Sequence, residues 1–187
     1  MAETHRGRRN VVTLVRRRHD DIRRLFDETQ TAAPDRRPAV FGRLVRLLAV
    51  HETAEEMVVY PTLMTAGSAA RSVVQRRKTE EDQAKKALAN LEGMNVRSAD
   101  FLALLQDFHV EVEAHAQAEE SEILPLLEQY RSSYELRAME VAFKAAEGIA
   151  PTHAHRFAPE SLTGNLLLGP AVSIFDRLRD MVTTGLR

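Results

Sequence analysis

Two short stretches carry the side chains best suited to chemistry: HETAEEMVVYP at 51–61 and HAQAEESEILP at 115–125. Each sets a glutamate four residues after a histidine, His51 with Glu55 and His115 with Glu119. On a helix that spacing stacks the two side chains on one face. In the first stretch the face is otherwise apolar, because Leu44, Leu48, Val58 and Thr62 continue the row at helical steps. Burying an imidazole beside a carboxylate is costly unless something pairs with them. A metal cation is one such partner.

The two stretches are copies of each other. Both read H-x-x-x-E-E, and each histidine stands ten residues before a proline, Pro61 or Pro125. Upstream, HDDIRRLF at 19–26 aligns with EDQAKKAL at 81–88. His19 lies 32 residues before His51, and Glu81 lies 34 before His115. The chain therefore reads as one helical hairpin used twice. Each polar residue sits in an apolar row: Val12, Val15, Ile22 and Phe26 surround His19, and Val74, Ala84, Leu88 and Leu91 bracket Glu81. Phe101, Leu104, Phe108 and Val112 lead into His115, Glu119 and Glu122.

A lone histidine on an apolar face is ordinarily a hydrogen-bonded core residue. Three histidines and three carboxylates on four helices are a different case. The carboxylates repel one another, and imidazoles that titrate near neutrality are a poor match for them. Two cations would neutralise the cluster and use its lone pairs. Imidazole and carboxylate without thiolate suit iron, manganese or zinc, whereas calcium and magnesium prefer all-oxygen sites. The E-x-x-H step of ferritin-like centres is missing, since no inner histidine has a glutamate three residues before it.

The elements that must position these residues are helices. Glycine and proline fall mostly between long periodic segments. The pattern predicts a first helix from a cap near Asn10 to about Thr31, a turn at 32–38, and a second helix to about Met64 with Pro61 in its last turns or ending it. Gly67 and Ser68 precede a third helix to about Leu91, and Ser98 caps a fourth that runs to about Tyr130. A shorter helix is expected at 133–147, and a last amphipathic one near 171–182. The fold expected is all-α, an up-down-up-down four-helix bundle with additional C-terminal helices packed outside. Residues 1–9 read as a flexible basic arm, 10–147 as the bundle, and 148–187 as a tail whose apolar face suits either the bundle or a dimer contact.

Composition excludes other classes. With 187 residues the chain suits one domain, and its formal charge of −1 gives no global pull toward nucleic acid or membrane. The arginines among the first 24 residues are read as a solvated face, and no aromatic residue precedes Phe26. The absence of cysteine removes disulfides, thiolate catalysis and iron–sulfur clusters. No apolar signal segment or spanning run appears, so a cytoplasmic protein, monomer or homodimer, is expected.

HDDIRRLF, HETAEEMVVYP and HAQAEESEILP, in that order, resemble the hemerythrin-like, or HHE cation-binding, family over about residues 10–130. The resemblance implies a four-helix bundle holding two iron ions with a bridging oxo or hydroxo group, with manganese or zinc as lesser alternatives. It implies that His19 and His51 bind one iron, that His115 and the residue at 81 bind the other, and that Glu55 and Glu119 bridge. Glu120 is the rival second bridge, since in relatives the acid lies four or five residues past the histidine; the repeat favours Glu119. The family pattern usually has histidine where Glu81 stands, and oxygen carriers add one where Lys85 stands. Hard anionic ligands favour ferric iron, which argues against reversible oxygen carriage.

Other residues are expected to do less. Glu52 and Glu56 lie beside or behind the site, Tyr60 packs at a helix end, and Glu122 is either outer-shell or solvated. His109 is expected at the surface or in an outer shell, and His153 with His155 in the tail. The leading functional expectation is a di-iron protein that decomposes hydrogen peroxide. Sensing or storage of oxygen, nitric oxide or iron by the same centre, and a bundle without metal, are the competing readings.

Overall fold

The computed structural model describes residues 9–150, and every regular element among them is helical. Residues 1–8 of the basic arm expected at 1–9, the tail helix and His153 with His155 lie outside the described residues. The first hairpin consists of α1 (Val11–Thr31) and α2 (Arg37–Ala54), the latter prolonged by a π-helical turn, Glu55–Val59, and α3 (Tyr60–Met64). The second consists of α4 (Ser68–Glu92) and α5 (Ala99–Ala118), prolonged by a π-helical turn, Glu119–Ile123, and α6 (Leu124–Tyr130). Next comes α7 (Ser133–Ile149).

Three helix starts carry side-chain caps, whereas α2 begins at Arg37, inside the turn expected at 32–38, without one. Asn10 and Thr13 form a capping box on α1, Ser98 accepts from the Phe101 amide on α5, and Ser132 with Glu135 forms a second box on α7. Gly67 turns the chain into α4 at φ +115°, a conformation that a side chain would strain. Of the further helices expected against the bundle, α7 is described. It lies against α1, α2 and the first π turn, and Met139, Phe143 and Ala146 enter the core.

Two apolar clusters fill the bundle. One gathers Val11, Val15, Ala54, Val58, Val74, Ile123, Leu127 and Phe143, and the other Ile22, Phe26, Leu48, Leu88, Phe101, Leu105 and Phe108. Along each main helix the chain passes from one cluster to the other, and the polar residue stands at the crossing: His19 between Val15 and Ile22, His51 between Leu48 and Ala54, Glu81 between Val74 and Leu88. The bundle is thus two dry layers with a polar layer between them.

Both π turns begin at a repeat glutamate and end just before a Tyr60-Pro61 or Leu124-Pro125 step. In a regular helix the ring of Pro61 would strike the carbonyl of Met57, and that of Pro125 the carbonyl of Ser121. The wider turn avoids this. The Tyr60 amide donates to the Glu55 carbonyl and the Leu124 amide to the Glu119 carbonyl, both five residues back. Helical structure therefore continues through each proline, and the widening falls on the glutamate that faces the polar layer.

Candidate metal centre

The four helices bring together His19, His51, Glu55, Glu81, His115 and Glu119. They form two groups, His19–His51–Glu55–Glu119 and Glu55–Glu81–His115–Glu119, whose ligand atoms lie within 4.8 Å of one another in each group. Glu55 and Glu119 belong to both. Five of the six residues are at most 4% exposed, while the His115 side chain is 18% exposed.

The atoms facing the centre lack partners. His19 Nε2, His115 Nε2, Glu55 Oε2, Glu81 Oε2 and Glu119 Oε2 are buried without a hydrogen bond. Contacts there are close but poorly aimed: His19 Nε2 is 3.3 Å from Glu119, His51 Nε2 3.4 Å from Glu55, and His115 Nε2 3.6 Å from Glu119. Native interiors rarely leave so many polar atoms unpaired. A set of converging imidazole nitrogens and carboxylate oxygens with free lone pairs fits a metal site.

Two of the imidazoles are fixed from behind. His19 Nδ1 is 2.9 Å from Glu120 Oε1, and His115 Nδ1 is 3.0 Å from Glu80 Oε2. As each carboxylate accepts, Nδ1 carries the proton and Nε2 presents its lone pair to the centre, the usual arrangement of a metal-binding histidine. This places Glu120 on the outer nitrogen of His19, and Glu119 in both ligand groups. Arginines hold the outer carboxylates in turn: Arg23 reaches Glu120 at 3.1 Å and Glu113 at 2.7 Å, and buried Arg77 reaches Glu80 at 2.7 Å. His51 has no such support. Its Nδ1 is buried and unpartnered, and its ring lies between His19 (5.0 Å, edge-on) and Phe143 (6.0 Å).

The side chains pull one another's protonation apart. Burial, with the charges of Glu119 and Glu81, pushes Glu55 well above the usual carboxylate range. Burial and the charge of Glu52 do the same for Glu81. Glu119 goes the other way: burial opposes ionisation, but the close His19 imidazole, with those of His115 and His51, pulls it down to about 2. Burial and the neighbouring His19 lower His51 to about 3. Burial lowers His19 too, yet Glu119 and Glu120 outweigh it and leave that imidazole raised. Without metal the layer therefore stores protons where a cation would bind.

Tyr60 does not pack idly at a helix end. It is 2% exposed, and its hydroxyl is hydrogen-bonded to Glu81 and lies 2.7 Å from Glu119. No spacing rule points to it, because Pro61 reads as lying in the last turns of the helix or ending it; the repeat does mark it, since its counterpart is Leu124. Glu52 lines the approach to the centre, and burial pushes its carboxyl up to about 8. Glu56 turns to Lys85 at 2.7 Å, and Glu122 to Arg76 at 2.8 Å on the surface. His109 stacks flat on Phe26 with centroids 4.4 Å apart.

A cavity of about 320 Å³ leads to the centre between α1, α2, α4 and α5. Ile22, Phe26, Leu48, Ala84 and Val112 give it apolar walls, and His19, His51, Glu81 and His115 line it where it meets the polar layer. A small molecule thus has a route to the ligand atoms. Among the described residues no helix is long and apolar enough to cross a membrane.

Comparison with known proteins agrees with this architecture. A hemerythrin-like protein of Schizosaccharomyces pombe is 28% identical over 136 residues, covering 72% of this chain and 67% of that one. The crystal structure of a hemerythrin HHE cation binding domain-containing protein from Mycobacterium kansasii superposes with a TM-score of 0.67 at 22% identity, covering 75% of this chain and 86% of that one. The latter speaks for the fold. The sequence pattern of the hemerythrin HHE cation binding domain matches residues 10–127, both hairpins and all six converging side chains included, and the chain belongs to that family of metal-binding proteins.

Proposed function

We propose that this chain holds two iron ions and decomposes hydrogen peroxide to water and oxygen, in the cytoplasm, as a defence against oxidative stress. His19 and His51 would hold one ion, Glu81 and His115 the other, and Glu55 with Glu119 would bridge them. The observation that carries the reading is the donor set, three imidazoles and three carboxylates in two groups that share two acids, at the end of a cavity. Bound iron supplies an accessible redox couple and a coordination position for a small oxygen ligand.

The protein's own residues suit that chemistry. Three carboxylates stabilise the higher oxidation state, which favours turnover over reversible oxygen carriage. Glu80 and Glu120 hold His115 and His19 in one tautomer. Glu52, pushed up to about 8, holds a proton on its carboxyl at the cavity wall near neutral pH and can exchange it with an entering peroxide.

The test is iron analysis with an oxygen-electrode assay on the purified chain. The reading expects about two irons per chain, an oxo-to-iron band in the near ultraviolet, and vigorous oxygen release on adding peroxide, lost in His115→Ala. Full iron with slow, sub-stoichiometric peroxide loss would leave sensing or storage. Absence of bound metal in the folded protein would leave neither.

A further inference from the structure

The internal repeat pairs not only the candidate ligands but also the residues behind them, and there the halves diverge. By the alignment of 19–26 with 81–88, Arg23 corresponds to Lys85, Arg18 to Glu80, and Val15 to Arg77; by that of 51–61 with 115–125, Glu56 corresponds to Glu120. One relationship survives the duplication. Arg23 on α1 reaches Glu120 on the second π turn, and Lys85 on α4 reaches Glu56 on the first, at 3.1 and 2.7 Å. These clamps are equivalent.

The other relationship exists once. Behind His115, Arg77 donates to Glu80 Oε1, and Glu80 Oε2 accepts from His115 Nδ1. At the matching place behind His51 stands Arg18, a donor where an acceptor is needed. It turns to Glu147 on α7 through two hydrogen bonds of 2.5 and 2.9 Å, and His51 Nδ1 is left buried without a partner. Arg77 is itself 5% exposed with Glu80 as its hydrogen-bond partner. Burying a cation so sparsely is costly, so its pairing with Glu80 fixes that carboxylate firmly.

We propose that the two metal positions are inequivalent, and that the one built from Glu55, Glu81, His115 and Glu119 loads first. Both share Glu55 and Glu119. To these the first-loading position adds the Glu81 carboxylate, anionic once the ion displaces its proton, and an imidazole oriented by Glu80 and Arg77. The other adds two neutral imidazoles, His19 oriented by Glu120 and His51 oriented by packing alone. A dication gains more from the added negative charge, and a carboxylate behind a histidine makes it a stronger ligand. Glu80 and Arg77 act through His115 as positioning residues. The inference rests on the two-ion reading above but needs no peroxide chemistry.

The test is titration of the metal-stripped full chain with cobalt(II), followed by its visible spectrum. Two resolved steps are expected. His51→Ala should keep the first step and weaken the second, whereas His115→Ala should remove the first. Glu80→Gln, nearly isosteric, should weaken the first step by about tenfold, in the range typical of such outer partners. Arg77→Met should shift it the same way and Arg77→Lys should restore it, with circular dichroism verifying the fold throughout. Two equal steps, a first step lost in His51→Ala but kept in His115→Ala, or no change in Glu80→Gln would each overturn the proposal. A single ion lost in His115→Ala and kept in His51→Ala would uphold the tight position while sinking the two-ion reading.

Discussion

The Tyr60 hydroxyl is hydrogen-bonded to the Glu81 carboxylate across the polar layer, and the same oxygen lies 2.7 Å from Glu119. One phenolic hydrogen cannot serve two acceptors, so a further proton must be shared among these oxygens when no metal is bound. The raised Glu81 carboxyl supplies it. The pairing also accounts for the break in the repeat. Where the first hairpin has Tyr60, the second has Leu124; Tyr60 faces Glu81, while His19, the counterpart of Glu81, is held by Glu120.

Tyr60→Phe should therefore weaken the metal-free protein more than the metal-loaded one. Removing the hydroxyl strands the buried Glu81 carboxyl and the buried Glu119 carboxylate, at a cost of about 1–3 kcal/mol. Bound metal would satisfy the same oxygens and shrink the loss. Urea melts of both forms measure this, and an equal loss in both would mean that Tyr60 acts through packing.

The protonation pattern predicts how stability follows pH. Glu55 and Glu81 are raised, Glu52 lies at about 8 and His19 is raised, so above pH 6.5 the folded chain binds more protons than the unfolded one. Stability of the metal-free protein should then fall as pH rises from 6.5 toward about 8. The opposing groups act lower: His51, at about 3, destabilises only as pH drops below 6.5, and Glu119, at about 2, loses its contribution only below 4.5. Metal replaces the stored protons, so the loaded protein should show a flat or rising profile over the same range. Thermal melts of both forms check it; a metal-free protein that gains stability with pH would contradict the assignment.

How much of this is legible in the sequence depends on distance along the chain. Which six side chains converge follows from local spacing used twice, since His51 with Glu55 and His115 with Glu119 need only the helical period. The element ends at Asn10, Ser98 and Gly67 are equally local. Glu80 and Tyr60 are not. Glu80 sits next to Glu81, so the period turns it away from the layer, and only the neighbouring α5 brings His115 to it. Tyr60 enters the layer because the π turn adds a residue to the helix, a rotation that the period of Leu44, Leu48 and Val58 does not contain. Pro61 reads as lying in the last turns of the helix or ending it, and the helix continues through it by way of the wide turn.

Replacing the carboxylate that departs from the family pattern should separate ligation from neighbourhood. Glu81→His supplies a neutral donor at the same place and leaves Tyr60 without its carboxyl partner. If Glu81 binds metal, the variant should keep metal but shift the absorption spectrum and change the peroxide rate, with the centre easier to reduce as one negative charge is lost. Spectroelectrochemistry of wild type and variant decides. An unchanged spectrum and potential would place Glu81 outside the ligand set.

The π turns give the sharpest prediction, because stability and function should move in opposite directions. Pro125 prevents a regular helix through Ser121, and the strain is relieved by the wide turn that begins at Glu119. Pro125→Ala restores an amide and removes the clash, so the turn can tighten to the α period, and the fold should gain about 1–3 kcal/mol from the better helix. Tightening rotates Glu119 relative to His115 and His19, withdrawing the acid common to both ligand groups. Metal affinity should then fall at least tenfold while the melting temperature rises. A thermal melt beside a metal titration measures both. If affinity and stability rise together, the π turn is a passive consequence of the proline and does not set the geometry of the centre.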